Sequence, residues 1–130
     1  MAELPKSPHQ QIFDAIYAAS LKLGYATFDY LPPSSQSLPF VFIGEQFDQD
    51  RKTKDVLYGD IQQTIHVYGS HKKRREVTTM VNQLKVAIRS IKRTPNFYVN
   101  VKNVRGRMMI DNSTSEPLLH GVIEIDLTFN

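Results

Sequence analysis

Gly121-Val122-Ile123-Glu124-Ile125-Asp126-Leu127-Thr128-Phe129, close to the end of the chain, decides the fold. Ile123, Ile125, Leu127 and Phe129 alternate with Glu124, Asp126 and Thr128. A strand points successive side chains to opposite faces, so this pattern sets one face on a core and the other in water. The dry face needs a cover, and the cover is legible upstream.

Val77, Met80, Val81, Leu84, Ile88 and Ile91 follow one another at spacings of 3, 1, 3, 4 and 3, one apolar stripe of a helix over residues 73–91. Thr94-Pro95 ends it, because the residue before a proline is pushed out of helical geometry. Ile12, Ile16, Ala19 and Leu23 predict a first helix over 8–23. Ser7-Pro8 starts it and Gly24 closes it. Between the helices lie a short strand at 27–30, a proline turn at 32–35 and a buried strand at 40–44. A further strand at 59–68 places Ile61, Ile65 and Val67 inside, with polar Gln63 on the same side. Residues 48–55 hold no apolar side chain and predict a long, exposed, mobile hairpin loop. After the second helix, Phe97, Val99 and Val101 alternate as a strand, which either continues through Val104 or turns at Arg105-Gly106 into a separate strand at 108–110, before a polar turn at 111–116. Counting the separate strand, the order is α-β-β-β-α-β-β-β. Strands arrive in hairpin-connected groups, so the fold class is α+β: a mainly antiparallel sheet with two helices packed on one face. The 130 residues suit a single domain over 1–130.

Composition narrows the chemistry. Apolar residues at 41% and charged residues at 22% are those of a globular chain. No cysteine is present, which excludes disulfide frameworks, thiolate nucleophiles and Cys-based zinc sites. No apolar run reaches the about 18–20 residues that span a bilayer, and residues 1–10 carry no apolar signal stretch; no membrane partner is expected. There is no Gly-x-Ser-x-Gly elbow and no phosphate-binding glycine loop. The four histidines, His9, His66, His71 and His120, show no metal-pair spacing to one another or to an acid. Asp48/Asp50 and Glu124/Asp126 read as solvated acids on a loop and on a strand's wet face. The chain is therefore expected to be no enzyme, to carry no catalytic residue and to need no cofactor or metal.

The charge is unevenly spread. The net value is +3, yet residues 70–107 hold eleven bases against the single acid Glu76, a local +10, while the remainder carries five bases and twelve acids, a local −7. Such separation makes a large dipole if the segment folds onto one side. The candidate protein- or DNA-contacting residues are Arg51, Lys52 and Lys54 in the hairpin, Lys72, Lys73, Arg74 and Arg75 at the start of the second helix, and Lys85, Arg89 and Arg93 as a helical stripe. Three readings stay open for them: a solvated face, electrostatic docking on an acidic protein, and contact with nucleic-acid phosphates in a small basic nucleic-acid-binding module.

Two segments resemble a known family. Asp29-Tyr30-Leu31-Pro32-Pro33-Ser34-Ser35-Gln36-Ser37-Leu38-Pro39-Phe40-Val41-Phe42-Ile43-Gly44-Glu45 is similar to the proline turn and Pro-aromatic-Val strand of phage tail-completion proteins. Leu119-His120-Gly121-Val122-Ile123-Glu124-Ile125-Asp126-Leu127 is similar to the His-Gly start of their last strand. The charged hairpin, the strand ending near Tyr68-Gly69-Ser70 and the basic helix start match in order, from Pro8 to Phe129. The family holds tail terminators and head-to-tail joining proteins of long-tailed bacteriophages. The resemblance implies a structural protein of the virion, placed at the tail–head junction and assembled in the host cytoplasm. It implies a hexameric ring of this chain that caps the tail tube protein and joins a head connector or stopper protein, with DNA passing through the lumen unread.

Overall fold

The computed structural model describes residues 6–54 and 57–130. Seven elements follow in the order α1 (Pro8–Lys22), β1 (Thr27–Phe28), β2 (Phe40–Lys52), β3 (Leu57–Ser70), α2 (Arg74–Arg89), β4 (Val99–Asp111) and β5 (Leu118–Phe129). The strands make one sheet in the order β1-β2-β3-β5-β4. Every pairing is antiparallel except that of β1 with β2. The fold is thus α+β as expected, with a mixed rather than purely antiparallel sheet.

Local chemistry accounts for the helices. The Ser7 hydroxyl accepts a hydrogen bond from the Gln10 amide at 3.2 Å, and Pro8 occupies the first turn, where its missing N–H costs nothing. Ile12 and Ile16 of α1, and Val77, Met80, Leu84 and Ile88 of α2, enter one buried cluster with Val41, Ile43, Ile61, Ile65, Ile123, Ile125 and Leu127. Both helices therefore cover the same face of the sheet. The seating of α2 is close: a Cβ added at Gly69 would lie 2.3 Å from Val77 Cγ2, and one at Gly121 2.8 Å from Val81 Cγ2. Only hydrogen at those positions lets helix and sheet approach this far.

Two expectations need correction. Residues 48–52 are not loop but strand, paired with β3 as far as Lys52↔Leu57. Backbone ladder bonds do not depend on side-chain polarity, and Arg51–Asp60 at 3.3 Å and His9–Asp50 at 2.7 Å anchor the charged groups. Of the expected loop, Thr53 and Lys54 are the described residues that stand outside a strand; Asp55 lies outside the described residues. Secondly, residues 99–111 form one strand where two were expected, giving α-β-β-β-α-β-β. A register shift between Val101 and Asn103 absorbs the break in alternation, and the strand runs on through Gly106. The basic block is divided between α2 and the open face of the sheet. Arg105 and Arg107 register opposite Glu124 and Val122 on the open face, away from α2. There Arg105 pairs with Glu124 at 3.2 Å and Asp126 at 3.3 Å.

Gln63 is where polarity was expected on the inner face, and it is fully buried. β2 shifts register between Ile43 and Gln46, so two residues, Gly44 and Glu45, oppose Thr64 alone. The Gln63 amide nitrogen donates to the Gly44 and Glu45 carbonyls at 3.2 and 3.1 Å, and its oxygen accepts from Gln46 at 3.0 Å. Gln63 thus replaces the ladder bonds that the bulge removes.

Candidate functional site

Two groups of bases stand at opposite ends of the sheet, and Lys85 and Arg89 lie along α2 between them. β3 begins at the hairpin with Leu57 and ends at Ser70, immediately before α2. A strand rises about 3.3 Å per residue, so its 14 residues separate the two ends by roughly 45 Å.

At the α2 end, Lys72, Lys73, Arg74 and Arg75 are all exposed. Lys73 takes the N-cap position and makes no side-chain cap bond, and Glu76 is the one acid in the first turn. Cations at a helix N-terminus face the positive end of its dipole, so the local electrostatics oppose the cluster. Among the described residues none of the four has a carboxylate within ion-pair distance. Further along α2, Lys85 is half-buried and crosses Gly106, while Arg89 is exposed in the last turn. The helix ends there, at the Ser90 C-cap. Arg93 consequently leaves the expected stripe and sits beyond the helix, in an isolated bridge with Tyr98.

That move carries Arg93 toward the hairpin end. Its guanidinium lies 5.5 Å from the centre of the Tyr98 ring, a cation–π distance. Tyr98 exchanges backbone bonds with Asn130, next to β5. An open depression of roughly 760 Å³ is lined there by Arg51, Tyr58, Asp60, Tyr98, Asn100 and Thr128, among others. Tyr98 is 66% exposed and Tyr58 37%. Lys54 is exposed in the adjoining turn, and Lys52 ends β2 beside it. The sequence shows no aromatic interleaved with bases, but the fold brings two tyrosines to two arginines. Tyr and Arg are the residue types on which protein interfaces most often depend.

The fold also makes histidine contacts that spacing concealed. His66 meets His120 and Glu45, and His9 meets Asp50 at 2.7 Å and Asp48 at 3.8 Å. The three atoms of His9, Asp48 and Asp50 lie within 4.8 Å of one another, the one such three-ligand group among the described residues that could hold a cation. Two Asp side chains turn toward α1 because the bulge at Gly44 and Glu45 inverts the alternation of β2 beyond it. That bulge was the missing signal. As they stand, the carboxylates are 46% exposed and one already pairs with the imidazole. Among the described residues no serine hydroxyl bonds to an imidazole, so no nucleophile–base pair of that type is assembled.

The architecture has a counterpart over its whole length. The fold is similar to that of a chain in the virion of a native gene transfer agent particle. The TM-score is 0.67 at 11% identity, covering 97% of this chain and 100% of that one. A looser likeness, TM-score 0.42 at 11% identity over 95% of this chain and 73% of that one, is to the type 4 fimbrial biogenesis protein PilO of Pseudomonas aeruginosa, and carries no argument. No protein-family model matches the chain, and no curated protein matches it.

Proposed function

We propose that this protein is a structural component of a phage-like virion, and within it a tail-completion subunit. It caps the tail tube as a hexameric ring of its own copies and presents a second surface to the head connector, with DNA passing unread through the lumen. The observation that carries this reading is the end-to-end likeness to a virion chain, which leaves almost no residue of either chain unmatched. Two features support it. The motifs around Pro32–Pro33 and His120–Gly121 resemble the tail-completion family over the same span. The two basic regions lie at opposite ends of the sheet, an arrangement suited to a part that must bind something at each end. A heterologous contact of one copy's basic end on an acidic surface of the next closes a ring when the rotation allows.

The test is mass and morphology. Light scattering and electron microscopy of the chain with its tail tube protein are expected to give a ring seated on tubes of uniform length. Monomers that leave tube length unchanged would overturn the proposal. In a complementation assay, Arg89→Glu should block tail completion if Arg89 is desolvated against a neighbour. Redundant bases facing a DNA channel, screened over about 8 Å, should instead tolerate single reversals. The basic nucleic-acid-binding module keeps one specific point in its favour: the exposed Lys72–Arg75 cluster, which has no ion-pair partner among the described residues. It predicts that the isolated chain binds duplex DNA with a steep salt dependence that is lost when the cluster is changed to alanine.

A further inference from the structure

The open face of the sheet carries a chain of hydrogen-bonded titratable groups that the assembly reading does not use. Glu45 stands on the β2 bulge, and its carboxylate lies 2.9 Å from Nε2 of His66. Nδ1 of His66 lies 2.8 Å from Nε2 of His120 on β5. The surroundings hold both rings in place. Tyr68 stacks on His120 at 4.2 Å and 13°, and Phe42 stacks on His66 at 5.3 Å and 18°. The His66 side chain is only 13% exposed.

The protons can be counted. An ionised Glu45 only accepts, so His66 Nε2 carries a hydrogen and donates it. One hydrogen, and only one, fits between two nitrogens 2.8 Å apart. In the neutral pair that hydrogen belongs to His120 Nε2, and His120 Nδ1 keeps a lone pair. A first added proton takes that lone pair, or its equivalent after the bridging hydrogen shifts, and every hydrogen bond survives. The resulting cation faces the Glu45 carboxylate. A second added proton would set N–H against N–H across the bridge and break it.

We propose that Glu45, His66 and His120 form a proton site that holds one excess proton and is opened by a second, making the centre of the open face an acid-sensitive latch. The latch ties the β2 bulge to β3 and β5 from the face opposite Gln63. The other charged groups around it are Asp111 and Arg107 on β4, the first favouring a charged His120 and the second opposing it. Glu124, the next acid along β5, is taken up by Arg105. Tyr68 remains neutral because burial, then the charges of Asp111 and Glu45, push its hydroxyl above its ordinary value of 10.0. Burial, followed by the charge of His66, holds His120 below its ordinary value of 6.5. With the folded value depressed, the stability contributed by neutral His120 is fully present above pH 6.5 and is lost as pH falls through the folded value. Glu45 adds in the same direction: the hydrogen bond from His66, against opposing burial, holds it below its ordinary 4.5, so its contribution is lost further into acid.

The experiment is a ring-resonance NMR titration of the full chain from pH 8 to pH 4, joined to urea unfolding over the same range. The two imidazoles should titrate as a coupled pair that gains one proton while the fold persists. Unfolding below pH 6.5 should take up about one proton more than unfolding at pH 8, read from the slope of stability against pH. His120→Phe keeps a ring against Tyr68 and should remove that excess. Uptake of a proton by each ring independently of the other while the fold persists would overturn the proposal, and so would an unchanged slope in His120→Phe. If the variant fails to fold, the titration of the unaltered chain decides alone.

Discussion

Replacing Gln63 by leucine tests the claim that one buried amide completes the β2 bulge. Leucine is larger than glutamine by about one methylene, so no cavity opens and the perturbation is the loss of the amide with a small overpacking cost. Two bulge carbonyls, Gly44 and Glu45, lose their donor, the Thr64 carbonyl loses a bond of 3.0 Å, and the Gln46 amide keeps only its weaker bond to the His9 carbonyl at 3.2 Å. A buried group left without a partner costs about 1–3 kcal/mol. Gly44 is half-buried and Glu45 is exposed, so water reaches part of the second carbonyl and the lower half of that range applies there. The added apolar surface, at a fully buried position, returns about 1–2 kcal/mol. The net loss should be about 1–3 kcal/mol, a sizeable part of the about 5–15 kcal/mol that holds a domain folded. Urea unfolding with linear extrapolation measures it. A loss below about 0.5 kcal/mol with unchanged denaturant slope would refute the reasoning, because the bulge would then need no internal donor.

Leu84 is fully buried between α2 and the sheet, so Leu84→Ala should cost about 2–5 kcal/mol in the same assay; a surface-like loss would mean that this stripe is an interface. Gly69→Ala places a methyl 2.3 Å from a Val77 methyl and should lower stability by about 1–3 kcal/mol, with rescue by Val77→Ala as the check on the contact. Arg105→Ala removes a pair of ion contacts between groups one-third to one-half exposed, and should change stability by less than about 1 kcal/mol, with the effect fading in high salt.

Periodicity alone established that this chain builds a sheet dry on one side and two helices to cover it. The stripes Val77–Ile88 and Ile123–Phe129 repeat at 3.6 and 2 residues because those are the periods at which a helix and a strand return to the same face. The polar Gln63 was visible as an interruption, and its position on the inner face was correct. What it bonds was not visible, since its partner is a bulge set by the pairing of β2 with β3. The same bulge inverts the faces of residues 46–51, and the strand runs on through charged sequence because ladder bonds are made by backbone and carry no side-chain signature. Of the candidate bases, sequence could say which were clustered along the chain but not which met in space. Helix termination at Arg89 carries Arg93 to Tyr98, and strand order carries Arg105 to Glu124 and Asp126. His66 and His120 are 54 residues apart, and no spacing rule connects them. They meet because β3 and β5, far apart in sequence, are neighbours in the sheet, and neighbouring strands lie only about 5 Å apart.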